Sequence, residues 1–139
     1  MPDTQFVAGA ELPGFERFVP QDRVDAYAEA SGDHNPIHLD EEYASTTPFG
    51  TRIAHGMLSL AFVTELLAKS FPDDWHSGGK IKVRFSAPVI PGEKVSIYGS
   101  ISGVTETDEG TVVTCNVGCK KPDGTDAVSG KATVPLRQI

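Results

Sequence analysis

The sequence predicts an α+β fold in which a curved antiparallel sheet wraps one long apolar helix. Residues 55–71 read HGMLSLAFVTELLAKSF, with neither glycine nor proline after Gly56 and almost no polar stripe before Glu65. A helix apolar nearly all round is a buried helix. Beyond Phe71 the hydrophobic pattern changes to period two, with Ile81, Val83 and Phe85 alternating with Lys80, Lys82 and Arg84. Short turns separate the later apolar runs, and strands joined that way pair antiparallel.

The elements follow in order. Residues 1–14 read as a tail, and Gly14 to Val19 as a short extended segment. Pro20 opens QDRVDAYAEASG, where Val24, Tyr27 and Ala28 recur at helical spacing and Gly32 supplies the stop. Asp33 to Arg52 contains Pro36 and Pro48 and is expected to be irregular, with at most one helical turn, EEYAS, capped by Asp40. The long helix comes next, about 15 residues or roughly 22 Å. DDWHSGG reads as a polar loop. The strand at Ile81 bends at APVIPGE into a second carrying Val95, Ile97 and Ile101. TDEG turns the chain into Val113, Cys115, Val117 and Cys119, and Lys121-Pro-Asp-Gly124 into Val128, Ala132 and Val134. No repeat or linker divides the chain. It reads as one domain over 1–139, with a core of about 14–136.

Composition narrows the function. The chain has 139 residues, one domain's worth, too few for two full α/β domains. Twelve basic against nineteen acidic side chains give a net charge of −7, without the global basic signature of nucleic-acid binding. Nothing approaches the roughly 18 apolar residues of a membrane span, and MPDTQFVAGAELPGF lacks the basic start and apolar run of a signal peptide. A cytoplasmic protein is expected. Cys115 and Cys119 share one face of a strand with Cα atoms about 13 Å apart, beyond the roughly 7 Å limit of a disulfide. They read as small buried apolar residues.

Chemistry concentrates in ASGDHNPIHLDEEYASTTPFGTRIAHGMLSL, residues 30–60. Asp33 and His38 flank Asn35-Pro36, where proline fixes its own φ and drives Asn35 extended. The result is a stiff, hairpin-like bend bringing a carboxylate and an imidazole towards one point, the makings of an acid–base pair. Ala54-His55-Gly56 opens the long helix, whose first N–H groups lack intrahelical partners and favour negative charge. Gly56 lets a ligand approach the backbone, and such an N–H can hold the oxyanion formed when a carbonyl enolises.

SGDHNPIH, a small residue at Ala44 or Ser45, then AHGML, resembles the signature of the MaoC-like, (R)-specific enoyl-CoA hydratases, the hydratase 2 type. VRFSAPVIPGEKV is similar to the strand–turn–strand after their helix, and the resemblance covers about residues 14–136. It implies the hot-dog fold. It also implies that Asp33 and His38 form the catalytic dyad, activating one water that adds across a trans-2-enoyl thioester to give the (R)-3-hydroxyacyl-CoA, reversibly. By the same resemblance Asn35 holds the bend or the water, the Gly56 N–H binds the thioester oxygen, and Thr64 stands where the family often has serine. The implied partner is an acyl-CoA or acyl-carrier-protein thioester. A homodimer is implied too, its sheets paired edge to edge and its thioester tunnel at the interface.

Each residue also has a plainer role. Alone, Asp33 is a turn residue after Gly32 and His38 a half-buried histidine; with Asn35 and Pro36 between them, both point to catalysis. His55 reads as structural, orienting the loop or filling the helix N-terminus, and His34 and His76 as solvent-facing. Asp33, His38, Asp40 and His55 are metal-ligand types, but no HxH, HExxH or paired-cysteine spacing accompanies them, so neither metal nor cofactor is expected. Lys80, Lys82 and Arg84 form a basic stripe, a solvated strand face or a contact for coenzyme A, and Arg52 is a comparable candidate. Three alternatives stand beside hydration. A hot-dog thioesterase would hydrolyse with a carboxylate, an acyl-CoA binding or sensor module would need no dyad, and a metal-dependent hydrolase would carry an ion.

Overall fold

The computed structural model describes residues 6–137. The chain runs β1 (Phe15–Val19), α1 (Gln21–Ser31), α2 (Pro36–Leu39), α3 (Glu41–Ser45), α4 (Gly56–Ser70), α5 (Trp75–Gly78), β2 (Lys80–Phe85), β3 (Glu93–Thr107), β4 (Gly110–Lys120) and β5 (Asp126–Pro135). The strands form one sheet in the order β1-β3-β4-β5-β2, and every neighbouring pair is antiparallel. The two earliest strands therefore lie at the edges. A register shift between Ile101 and Gly103 interrupts the β3–β4 ladder, the kind of bulge that increases local twist.

The period-two positions bury as expected. Val95, Ile97, Ile101, Val113, Cys115 and Val117 face the core, and Val128, Ala132 and Val134 continue it on β5. α4 lies against that face through Leu58, Phe62, Val63, Leu66 and Leu67. The core packs tightly over Gly99, where an added Cβ would stand 2.9 Å from Leu12 Cδ1 and 3.1 Å from Leu66 Cδ2. Upstream, Gly32 takes the left-handed conformation (φ 82°) and its N–H closes α1 on the Ala28 carbonyl at 2.9 Å.

Several expectations are corrected. Residues 6–12 are no tail: Gly9 and Leu12 donate to the Ile101 and Gly99 carbonyls of β3, and Leu12 is buried, so the core begins before residue 14. The part of that tail at residues 1–5 lies outside the described residues. The segment from Asp33 to Arg52 holds two short helices, not one, because Asn35 caps α2 as Asp40 caps α3. DDWHSGG contains α5, which tucks Trp75 into the core and leaves His76 exposed. α4 is apolar all round but covered on one side only, leaving Met57 56% exposed. Phe85, expected to face inward, is 51% exposed at the end of its strand. Among the described residues no helix is long and apolar enough to cross a membrane.

Candidate active site

The site is assembled from the turn after α1, from α2 and from the start of α4. Gly32 ends α1 and delivers Asp33, whose Oδ1 accepts the Asn35 N–H at 3.3 Å. Asn35 is extended (φ −57°, ψ 130°), as its following proline requires, and its side-chain oxygen accepts the Ile37 N–H at 3.0 Å. Pro36 occupies the first helical position, where a missing N–H costs nothing. The expected hairpin-like bend is thus a capped helical turn, and it carries His38 at its end.

His38 Nδ1 lies 2.7 Å from the Ile53 carbonyl. A carbonyl only accepts, so Nδ1 carries the proton and Nε2 keeps a free lone pair. Residues 53 and 54 are held in turn: the Ile53 N–H donates to Ile37 O at 3.2 Å and the Ala54 N–H to Val89 O at 2.8 Å. His55, at the N-cap of α4, is 2% exposed and donates Nε2–H to the Asp33 carbonyl at 2.9 Å. Its ring stacks on that of His38 with centroids 3.8 Å apart and planes 25° apart, and Tyr27 packs against it at 4.9 Å. His55 Nδ1 is buried with no partner. One ligand-capable atom from each of Asp33, His38 and His55 falls within 4.8 Å of the others.

Gly56 begins α4, so its N–H belongs to the first turn and has no partner within the helix. It lines a cleft of about 280 Å³ whose walls include Phe49, Ile53, Ser59, Phe85 and Val89. A Cβ at position 56 would come within 3.0 Å of Phe85 Cδ1, so the glycine leaves room for the Phe85 ring against the start of α4.

The structure brings Asp33, His38 and Asn35 together and places Gly56 directly after His55. Thr64 stands two turns along α4, its hydroxyl donating to Ala61 O at 2.9 Å. Asp40, one of the four metal-ligand types, instead caps α3 by accepting the Tyr43 N–H. Arg52 pairs with Glu41 at 3.6 Å. His34 is exposed and points away to Glu29 at 3.0 Å, a hydrogen bond that raises its pKa above the ordinary histidine value. Ser59, buried in the cleft wall, is a polar residue hidden in the sequence within an apolar run. Its only signal is its place one turn beyond Gly56.

A long helix lying in a curved antiparallel sheet, with a carboxylate and an imidazole gathered at its N-terminal end, defines a hot-dog domain. The profile of the MaoC like domain family matches residues 7–121, and the chain belongs to that family. It is 40% identical over 101 residues to the 3-hydroxyacyl-thioester dehydratase Z of Mycobacterium tuberculosis, covering 68% of this chain and 65% of that protein. The chain thus spans just under two-thirds of that relative's length. It is 37% identical over 108 residues to the (R)-specific enoyl-CoA hydratase of Rhodospirillum rubrum, covering 78% of this chain and 73% of the relative. Among solved structures it is similar to the (R)-hydratase from A. caviae involved in PHA biosynthesis, with a TM-score of 0.81 and 28% identity, covering 94% and 97% of the two chains.

Proposed function

We propose that the protein is a hydro-lyase that adds water to trans-2-enoyl thioesters to give (R)-3-hydroxyacyl thioesters, and catalyses the reverse dehydration. The observation that carries this is the placement of Asp33 and His38. Both are fixed through backbone carbonyls, His38 by its own hydrogen bond to Ile53 and Asp33 through His55. His38 Nε2 accepts a proton from a water that the Asp33 carboxylate orients. The hydroxyl bonds to Cβ as the Cα–Cβ π pair moves towards the thioester, and the Gly56 N–H holds the enolate oxygen. The proton then returns to Cα on the same face, so one water is consumed and nothing is left over. Asn35 contributes by capping α2, and Thr64 by an acceptor oxygen further along the helix.

The thioester is carried by CoA or by an acyl-carrier protein. The active form is a homodimer with the tunnel at its interface, a reading supported by the apolar surfaces of Met57, Phe49 and Phe85 left open near the cleft. We take the chain as one hot-dog domain of a cytosolic enzyme, which the free, buried Cys115 and Cys119 fit.

The test is loss of enoyl-thioester absorbance with crotonyl-CoA, with chiral analysis of the product. Wild type is expected to give the (R)-alcohol. Asp33→Asn and His38→Gln each lose several orders of magnitude, and the double variant little more. Release of free thiol instead of the alcohol would install the thioesterase reading. A second reading, metal-dependent hydrolysis, rests on the convergence of Asp33, His38 and His55. Turnover that survives exhaustive chelation rejects it.

A further inference from the structure

Counted by twos along β4 from the buried Cys115, Val117 and Cys119, the next core-facing position is Lys121, one residue past the strand's end. Its side chain is only 13% exposed. A lysine at such a place ordinarily lays its stem along apolar surface and lifts its charge into water. Here the ammonium turns onto the loop between β2 and β3. It donates to the Pro88 carbonyl at 2.7 Å and stands 3.6 Å from Glu93 Oε1. Glu93 Oε1 has its own task, accepting the Ile90 N–H at 2.9 Å. The loop contains Pro88 and Pro91, which have no N–H to tie it down. A side chain brought in from β4 supplies the missing donor.

That loop reaches both parts of the site. Ser86, Ala87, Pro88 and Val89 form one wall of the cleft. The carbonyl of Val89, itself buried, accepts the Ala54 N–H at 2.8 Å, and the Ile53 carbonyl accepts the His38 Nδ1–H at 2.7 Å. The Ile53 carbonyl and the Ala54 N–H belong to one peptide unit, and a peptide unit is planar. Where Val89 holds its N–H end, its carbonyl end is aimed at His38. Hydrogen bonds in line through one peptide also polarise one another. Lys121 therefore stands at the far end of a relay that runs through Pro88–Val89 and Ile53–Ala54 to the imidazole.

We propose that Lys121 is a positioning residue for the acid–base pair; the inference rests on the hydration reading above. By fixing the Pro88 carbonyl it sets the place of Val89. Through the 53–54 peptide it then keeps His38 in the Nδ1–H tautomer, with Nε2 free to take a proton. Lys121 touches neither the substrate nor the reacting atoms. Its effect reaches them through main-chain groups alone.

The test compares wild type with Lys121→Met, which fills the space of the lysine stem and donates nothing, and with Lys121→Arg, which restores a donor. With crotonyl-CoA, Lys121→Met is expected to lose about tenfold in kcat at nearly unchanged KM, part of the roughly hundredfold that a full misplacement costs. Lys121→Arg should recover most of that loss. Histidine 15N spectra at alkaline pH, where imidazole is neutral, read the relay without turnover. The His38 signals are those missing from His38→Gln. Wild type should show Nδ1 protonated and Nε2 bare, and Lys121→Met should show a share of the opposite tautomer. If circular dichroism finds Lys121→Met unfolded, Lys121→Gln, whose shorter arm falls short of the carbonyl, replaces it in both measurements. An unchanged His38 tautomer overturns the proposal, whatever the variant does to kcat or to the melting temperature. So does a changed tautomer at wild-type kcat in a chain that hydrates crotonyl-CoA. If wild type hydrates no enoyl thioester and the tautomer still responds, the hydration reading fails and the hold of Lys121 on His38 stands.

Discussion

His55 Nε2 donates to the main-chain oxygen of Asp33 across 2.9 Å, joining two residues 22 positions apart. The same ring stacks on His38, so one buried side chain touches both members of the proposed dyad. His55→Ala should therefore lower kcat about a hundredfold with little change in KM, because small misplacements of reacting groups cost about that much. His55→Gln, which keeps an N–H donor, should recover part of the loss. In an Asp33→Asn background His55→Ala should add little, since it acts through a group already removed. Steady-state kinetics on the four proteins decides this, and additive losses would count against it.

Gly56→Pro removes the proposed oxyanion donor at a position where a helix accepts proline. Gly56→Ala, which meets Phe85 in the same way but keeps its N–H, controls for that contact and should retain most of the turnover. A loss of about 10²–10³ in kcat is expected for Gly56→Pro, the scale of deleting one such donor. Circular dichroism establishes that the variant folds. A folded variant with normal turnover would end the role assigned to this N–H.

At Gly99 the prediction concerns stability. A methyl group there has no room between Leu12 and Leu66, so Gly99→Ala should cost about 1–3 kcal/mol through overpacking. A melting temperature lower by several degrees is the expected readout. An unchanged value would mean that α4 can lift from the sheet without penalty.

Burial pushes both cysteine thiols up from 9.0 to about 11. The folded chain thus holds these protons over a range in which the unfolded chain releases them. Stability should therefore fall as pH rises from about 9 towards 11. Cys115→Ala/Cys119→Ala should flatten that decline in urea titrations taken at successive pH values. Neither thiol should react with a thiol reagent at neutral pH until the chain unfolds.

Some of this was readable in the sequence and some was not, for identifiable reasons. Val113, Cys115 and Val117 announce their strand because one face of it is packed and the other is not. Gly32 and Asp40 mark helix ends by backbone chemistry that acts within a few residues. α2 leaves no mark in the sequence because four residues carry no period and Pro36 reads equally as a bend. The exposure of Met57 and Phe85 depends on which side of α4 the sheet covers, and no local pattern holds that information. The convergence of Asp33 and His38 is legible because they sit close together in the chain, with Asn35 between them. From the sequence alone His55 reads as structural. Its link to Asp33 spans 22 positions and exists only once α4 is docked.

Asp33, Asn35, His38, His55 and Gly56 all fall within one stretch of 24 residues, whereas the opposite wall of the cleft comes from Phe85–Val89 and Ala127–Val128. The groups proposed to react and the facing part of the cleft lining thus come from separate parts of the sequence. Variation at Phe85, Val89, Ala127 or Val128 can reshape the chamber without touching a proton-transferring atom. On the proposed function, a fold laid out this way would let changes in its distal segments alter which acyl groups fit while the acid–base segment stays intact.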